Sequence, residues 1–319
     1  MPLFKRMVSM SSTNFLMQPL PEHVTEVTYK TLVSRLGLAS LSASERVNAL
    51  VQMDSQKLLQ AISPNDTLLP ATGGELGLKP HINAKIQQGG SGPLDLPGQK
   101  WCEGIMVRDC QMGASTLSAM LNRDKDGIVP AFRELLTKSL GSAESAGQVM
   151  AAYAISENLN SDDRLKAILQ FANGICFFLP VLNYGHCWSG HAFIYHFNEP
   201  NPWDGPWKCY ASHILDIAYL FLNYNESWSV SQCTVAVQFA KDLIAFSNGR
   251  AAWPAFKWET KGFYSRVYGG RGLDASGKST IVLAPDPRTE RSEVILSLTR
   301  SIPADDLSRV WQIFISGTA

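Results

Sequence analysis

The sequence predicts an α/β fold with a mainly parallel sheet. Three observations carry that expectation. The short runs FKRMVSMS, WCEGIMVRDC and HAFIYHF are apolar or alternating, as buried strands are. The segments between them have the apolar spacing of helices. Those crossovers are far too long for hairpins, so neighbouring strands run parallel.

Taken in order, each element has a local reason. FKRMVSMS reads as a short buried strand. In EHVTEVTYKTLVSRLG, Tyr29, Leu32, Val33 and Leu36 fall at i, i+3, i+4 and i+7, and Gly37 stands where a helix ends. Ser42 and Glu45 have capping-box spacing ahead of Val47, Leu50 and Val51. Residues 70–99 are rich in Gly and Pro and predict an exposed loop. WCEGIMVRDC reads as the next strand. GIVPAFRELLTKSLG is a helix with Pro130 near its first turn and Gly141 at its end. SDDRLKAILQFANGI opens with acids that suit the helix dipole and buries Leu165, Ile168 and Leu169. HAFIYHF alternates like a strand, and SHILDIAYLFLNY and SVSQCTVAVQFAKDLIAF are helices. We expect one domain over residues 1–319.

Composition narrows the function classes. The chain is 45% hydrophobic and 18% charged, with 28 basic and 28 acidic residues. No basic excess points to nucleic acid. MPLFKRMVSMSS lacks the apolar run of a signal peptide. FANGICFFLPVLNYG is apolar but short of a membrane span and is interrupted by Pro180. Six scattered cysteines without a CxxC read as buried thiols in a reducing, cytoplasmic setting. The sequons at Asn65 and Asn225 carry no weight without a secretion signal.

Four motifs bear on chemistry. AESAG, residues 143–147, differs by one letter from the GxSxG turn of a serine esterase. It follows LTKSL, the polar end of a helix, and Ala143 stands in the place of the first glycine. Ser142 therefore reads as the cap of a helix that turns Val149, Ala152 and Tyr153 inward, and Ser145 is not a nucleophile. GLDASGKS, residues 272–279, fits the phosphate-loop pattern, but TIVLAPDP follows it, and Pro285 and Pro287 exclude the required helix. It reads as a Gly/Ser turn, and no cofactor is expected. His186, His191 and His196 cluster beside Cys187, which admits a metal-assisted hydrolase. Strand alternation turns His191 and His196 to opposite faces, so no metal site is expected. His213 follows a late strand and a loop, where a serine hydrolase keeps its general base, although on the residues alone a helix cap fits it better.

The run HFNEPNPWDGPWKCYASHILDIAYLF resembles the catalytic-histidine region of fungal type-B carboxylesterases, members of the α/β-hydrolase superfamily. PLFKRMVSMSSTN is similar to the strand segment after that family's nucleophile turn. EGIMVRDCQMGAST resembles its acid-bearing strand and turn, and QFAKDLIAFSNGRAAWPAF its C-terminal helix and W-P-aromatic signature. The resemblance implies the C-terminal part of an α/β-hydrolase fold: an incomplete, mainly parallel sheet with many covering helices. It implies that His213 is the base. It also implies that the GxSxG elbow and oxyanion loop belong before the segment at which this sequence starts. Gly113 occupies the acid's position, Arg108 replaces the usual glycine, and Asp109 is the nearest carboxylate and the surrogate acid.

These implications set the expected behaviour. The chain is expected to lack serine-esterase turnover, with a small hydrophobic ester as the only substrate class. The alternative is a non-catalytic remnant that binds a ligand or a protein. Fungal relatives of this kind accompany secondary metabolism. The first strand is expected to leave an open sheet edge that invites self-association or a partner chain, and so to leave the isolated chain marginally stable.

Overall fold

A computed structural model of the protein describes residues 3–10, 22–63, 97–121, 127–257, 263–270, 279–284 and 290–316. The chain divides into two compact units, residues 17–82 and the remainder. Residues 70–96 of the expected loop and most of GLDASGKS lie outside the described residues, and Pro97–Lys100 at the loop's end form a 3-10 turn.

The smaller unit holds three helices, α1 (Glu22–Arg35), α2 (Ala43–Val51) and α3 (Ser55–Ala61). Gly37 takes φ 71° just past α1. Ser42 and Glu45 form the reciprocal capping box on α2. The Asp54 carboxylate accepts from the backbone N–H groups of Gln56 and Lys57 and starts α3. Val33 is the buried anchor of α1.

The larger unit is built on a five-stranded sheet, in order β1 (Arg6–Ser9), β2 (Gly104–Cys110), β3 (His191–Phe197), β4 (Phe263–Tyr268) and β5 (Thr280–Ala284). The first four strands are parallel, and β5 returns antiparallel. The three strands expected from sequence are therefore adjacent. The register pairs Asp109 with His196 and His196 with Val267.

All seven residues of β2 are buried, because helices cover both faces of the sheet. One face turns Met106, Cys110, Phe193, Tyr195, Phe197 and Tyr268 into an aromatic core. The helix α9 (Val230–Ser247) seals it with a stripe of Val235, Phe239, Asp242 and Phe246 at i, i+4, i+7 and i+11. Asp242 is tolerated in that stripe because Arg266 Nε (3.0 Å), Tyr268 Oη (2.7 Å) and Gln238 Nε2 (2.8 Å) all donate to its carboxylate.

The opposite face carries Ile105, Val107, Asp109, Ile194, His196 and Ser265. It is covered by a long helix in three parts: α6 (Ser161–Asn173), a π-helical turn (Gly174–Phe178) and α7 (Leu179–Cys187). Leu165, Ile168 and Leu169 are buried as expected. Pro180 does not interrupt this helix, contrary to the reading from sequence. It falls where the π turn passes into α7, after the Leu179 N–H has bonded the Gly174 carbonyl. A widened turn relieves the clash a proline ring makes in a regular helix. By length and composition the combined helix could cross a membrane, but 83% of its most apolar window is buried inside the fold.

Two further helices, α4 (Ile128–Leu140) and α5 (Ala143–Ala152), precede it. Gly141, at φ 62°, ends α4. Ser142 caps α5 by accepting from the Ser145 N–H at 3.1 Å. AESAG is thus the first turn of a helix, and no strand feeds it. Val149 is buried there, whereas Ala152 is exposed rather than inward. A short α8 (Leu215–Leu220) and the C-terminal helices α10 (Glu290–Leu298) and α11 (Ala304–Ser316) complete the unit.

Candidate functional site

His213 is positioned by the end of β2. The Gln111 N–H bonds the Phe197 carbonyl at 3.1 Å, and the Met112 N–H bonds the Ala211 carbonyl at 2.9 Å. The Gln111 side chain returns the contact by accepting from the Ala211 N–H at 3.2 Å. The His213 N–H then donates to Ser115 Oγ at 3.0 Å. The loop after β3 is thereby fastened to the turn after β2, and the imidazole is held half-buried at the carboxyl end of the sheet. Open α/β sheets place their sites at this end. The helix starts at Leu215, three residues after SHILDIAYLFLNY begins, because Ile214 takes the left-handed conformation at φ 58°. That is a strained geometry for a β-branched residue.

His213 sits among apolar groups, with a cation nearby. Its Nδ1 is buried and has no hydrogen-bond partner among the described residues. Its ring packs edge-on against Phe177, with centroids 6.0 Å apart. Burial, reinforced by the nearby Arg108 guanidinium, pushes its pKa below the ordinary imidazole value. The ring is neutral at neutral pH, but the charge beside it is the wrong sign to stabilise an imidazolium.

Arg108 is fully buried. Its Nη2 pairs with Asp216 at 2.7 Å, its Nη1 contacts Cys110 Sγ, and Tyr195 Oη donates to the second Asp216 oxygen at 3.2 Å. Burial opposes the guanidinium charge, but Cys110 and Asp216 outweigh it and raise the Arg108 pKa. Burial also raises the Asp216 pKa, against the pull of Arg108. Asp216 is spent on this pair and does not serve His213.

Asp109 and His213 share no hydrogen bond. Asp109 lies within β2, not on the turn that follows, so its side chain points to the face opposite Arg108 and Cys110. There it meets His196 Nδ1 across the register, in a fully buried contact. Phe178 stacks on that imidazole, with centroids 5.5 Å apart and planes at 20°. The sequence reading makes His196 an ordinary core or surface histidine and misses its acid. The signal was the matching penultimate position of Asp109 in WCEGIMVRDC and of His196 in HAFIYHF, once the two strands are aligned in parallel.

Gly113, the position the resemblance assigns to an acid, is crowded. A Cβ on Gly113 would lie 3.0 Å from Phe177 Cδ1 and 3.1 Å from Asn173 Oδ1. Asn173 is fixed there, because it accepts from the Ala114 N–H and donates to the Cys110 carbonyl, each at 3.1 Å. The π turn thus directs two consecutive rings at two histidines, Phe177 at His213 and Phe178 at His196.

No group of three His, Cys, Asp or Glu able to hold a metal occurs among the described residues. His191, the first residue of β3, is exposed and His196 is buried; their odd spacing turns them to opposite faces of the sheet. All six cysteines are free thiols; Cys209 is exposed and Cys233 partly so, while the other four are buried.

No family model matches the chain, and no curated protein matches it in sequence. Solved structures do match. A PNB esterase superposes with a TM-score of 0.57 at 14% identity, covering 92% of this chain and 58% of that one. Juvenile hormone esterase from Manduca sexta gives 0.55 at 13%, over 93% and 61%. The Aspergillus niger esterase EstA gives 0.54 at 13%, over 94% and 60%. The shared feature is the fold, an α/β-hydrolase-like arrangement, and the chain spans less than two thirds of the length of these structures.

Proposed function

We propose that this chain is a carboxylesterase-type α/β-hydrolase polypeptide, of the fungal type-B branch, that does not turn over esters by itself. The observation that carries the reading is the state of His213. It stands where the base is expected, yet its Nδ1 has no acid and a guanidinium lies nearby. The sequence also contains no G-x-S-x-G pentapeptide, and Ser145 is bound up in the start of α5. Without a nucleophile and an acid beside it, a lone neutral imidazole supplies little rate.

Any ligand is then a small hydrophobic ester that is bound and not cleaved. The balanced charge of the chain supports neither nucleic acid nor a charged membrane surface as a partner. The free thiols support a reducing, cytoplasmic setting. The β1 edge of the described sheet supports self-association or pairing with another chain. The test is hydrolysis of p-nitrophenyl butyrate by the purified chain. We expect the buffer rate, unchanged in His213→Ala. Turnover that His213→Ala abolishes would overturn the reading.

A further inference from the structure

Two buried polar atoms on the α7-covered face of the sheet have no hydrogen-bond partner among the described residues: His196 Nε2 and Ser265 Oγ. Both residues are fully buried. They also share a face. His196 opposes Val267 in the β3–β4 register, and Ser265 precedes Val267 by two residues. Ser265 is therefore diagonal to His196, one strand across (~4.8 Å) and two residues along (~6.6 Å).

The imidazole is oriented by its other nitrogen. Nδ1 contacts Asp109 on β2, and β2 and β4 flank β3 on opposite sides. The Nε2 edge is accordingly turned away from β2, toward β4. In the neutral ring with its proton on Nδ1 and donated to the carboxylate, Nε2 presents a lone pair and accepts. Ser265 offers a hydroxyl that both donates and accepts. Neither atom reaches the other directly, and a buried acceptor facing a buried hydroxyl destabilises a fold unless both are satisfied.

We propose that His196 Nε2 and Ser265 Oγ bind one internal water molecule between them. The water donates to Nε2 and accepts from the serine hydroxyl, closing a chain of Asp109, His196, water and Ser265. A molecule of this size and polarity answers both unsatisfied groups, and two polar partners suffice to hold a buried water. The chain fixes His196 as the Nδ1–H tautomer and assigns Ser265 a role in orienting it.

The experiment is a high-resolution crystal structure of the full chain, with nitrogen-15 spectra of its histidine rings. The expected map has one ordered water within hydrogen-bond distance of both atoms. The expected Nε2 resonance is that of a hydrogen-bonded acceptor. In Ser265→Val, whose methyl groups take the water's space, the water peak disappears and the Nε2 resonance moves downfield, toward an acceptor with no hydrogen bond. A map with no water there, a direct hydrogen bond between Ser265 and His196, or an Nε2 resonance unmoved by Ser265→Val would overturn the proposal. Should Ser265→Val fail to fold, the wild-type map decides alone.

Discussion

Two imidazoles stand near each other along the chain and in opposite chemical situations. His196 has a carboxylate on Nδ1 but is sealed in the core under Phe178. His213 is half-exposed at the carboxyl end of the sheet, and its Nδ1 has no hydrogen-bond partner among the described residues. One has a carboxylate partner, and the other has the access a base needs. Position in a motif and possession of the motif's chemistry are therefore separate properties. The π turn links the two cases, since it supplies both the ring that blocks the acid's place beside His213 and the ring that covers His196.

The largest expected effect tests the charge that separates the two histidines. Arg108→Met should destabilise the chain by about 3–5 kcal/mol, because it leaves the Asp216 carboxylate buried without its cation. In any fraction that folds, the His213 pKa should rise, since part of its depression comes from Arg108. Denaturant unfolding and histidine NMR titration measure the two effects. An unmoved His213 pKa would show that burial alone sets it. Next in size, Asp109→Asn keeps the shape but removes the charge from the buried pair. It should lower stability by about 2 kcal/mol in urea unfolding. No change would mean that the His196 contact adds nothing beyond packing.

Much of this arrangement was legible in the sequence. The strands FKRMVSMS, WCEGIMVRDC and HAFIYHF, the capping box at Ser42 and the cap at Ser142 were all local signals, and each is read from a few neighbouring residues. The π turn was not legible, because no periodicity marks a single widened turn and Pro180 argues for a break. The β4 strand FYSRVY was missed because it is short and partly charged, and Arg266 is buried there only through Asp242 on a distant helix. The candidate site was half legible. The place of His213 follows from its strand and loop, but its partner depends on which face of β2 each residue takes. Asp109 lies one residue from Arg108 and Cys110, so proximity in sequence points to His213 while alternation delivers the carboxylate to His196.

A third titratable group lies just past the end of β3. Glu199 is buried, and burial pushes its pKa up from 4.5 to about 7. Gly269, at φ 70°, lies so close that a Cβ there would come within 2.2 Å of Glu199 Oε2. An acid with a raised folded pKa gives stability that is complete below its unfolded pKa and is lost as pH rises through the folded one. The window here runs from about pH 4.5 to pH 7. Glu199→Gln should therefore raise stability at pH 8 by on the order of 2 kcal/mol and flatten that slope. Thermal melts across the range would reveal it. A slope left intact by Glu199→Gln would place the titration elsewhere.

The smallest effect is the one that bears most directly on His213. Its folded pKa is lowered from 6.5, so its contribution runs in the opposite sense to that of Glu199. The neutral ring suits the fold, the unfolded chain takes up the proton first, and stability is lost as pH falls below about 6.5. His213→Ala should remove that acid-side loss and change stability at pH 8 by less than about 1 kcal/mol, since the residue is only half-buried and its Nδ1 bonds nothing. A histidine held by a catalytic acid behaves otherwise: its pKa is raised and its stabilising window lies on the acid side. The sign of the slope that His213→Ala removes thus distinguishes a base with a hidden carboxylate from an imidazole that keeps only the position of one.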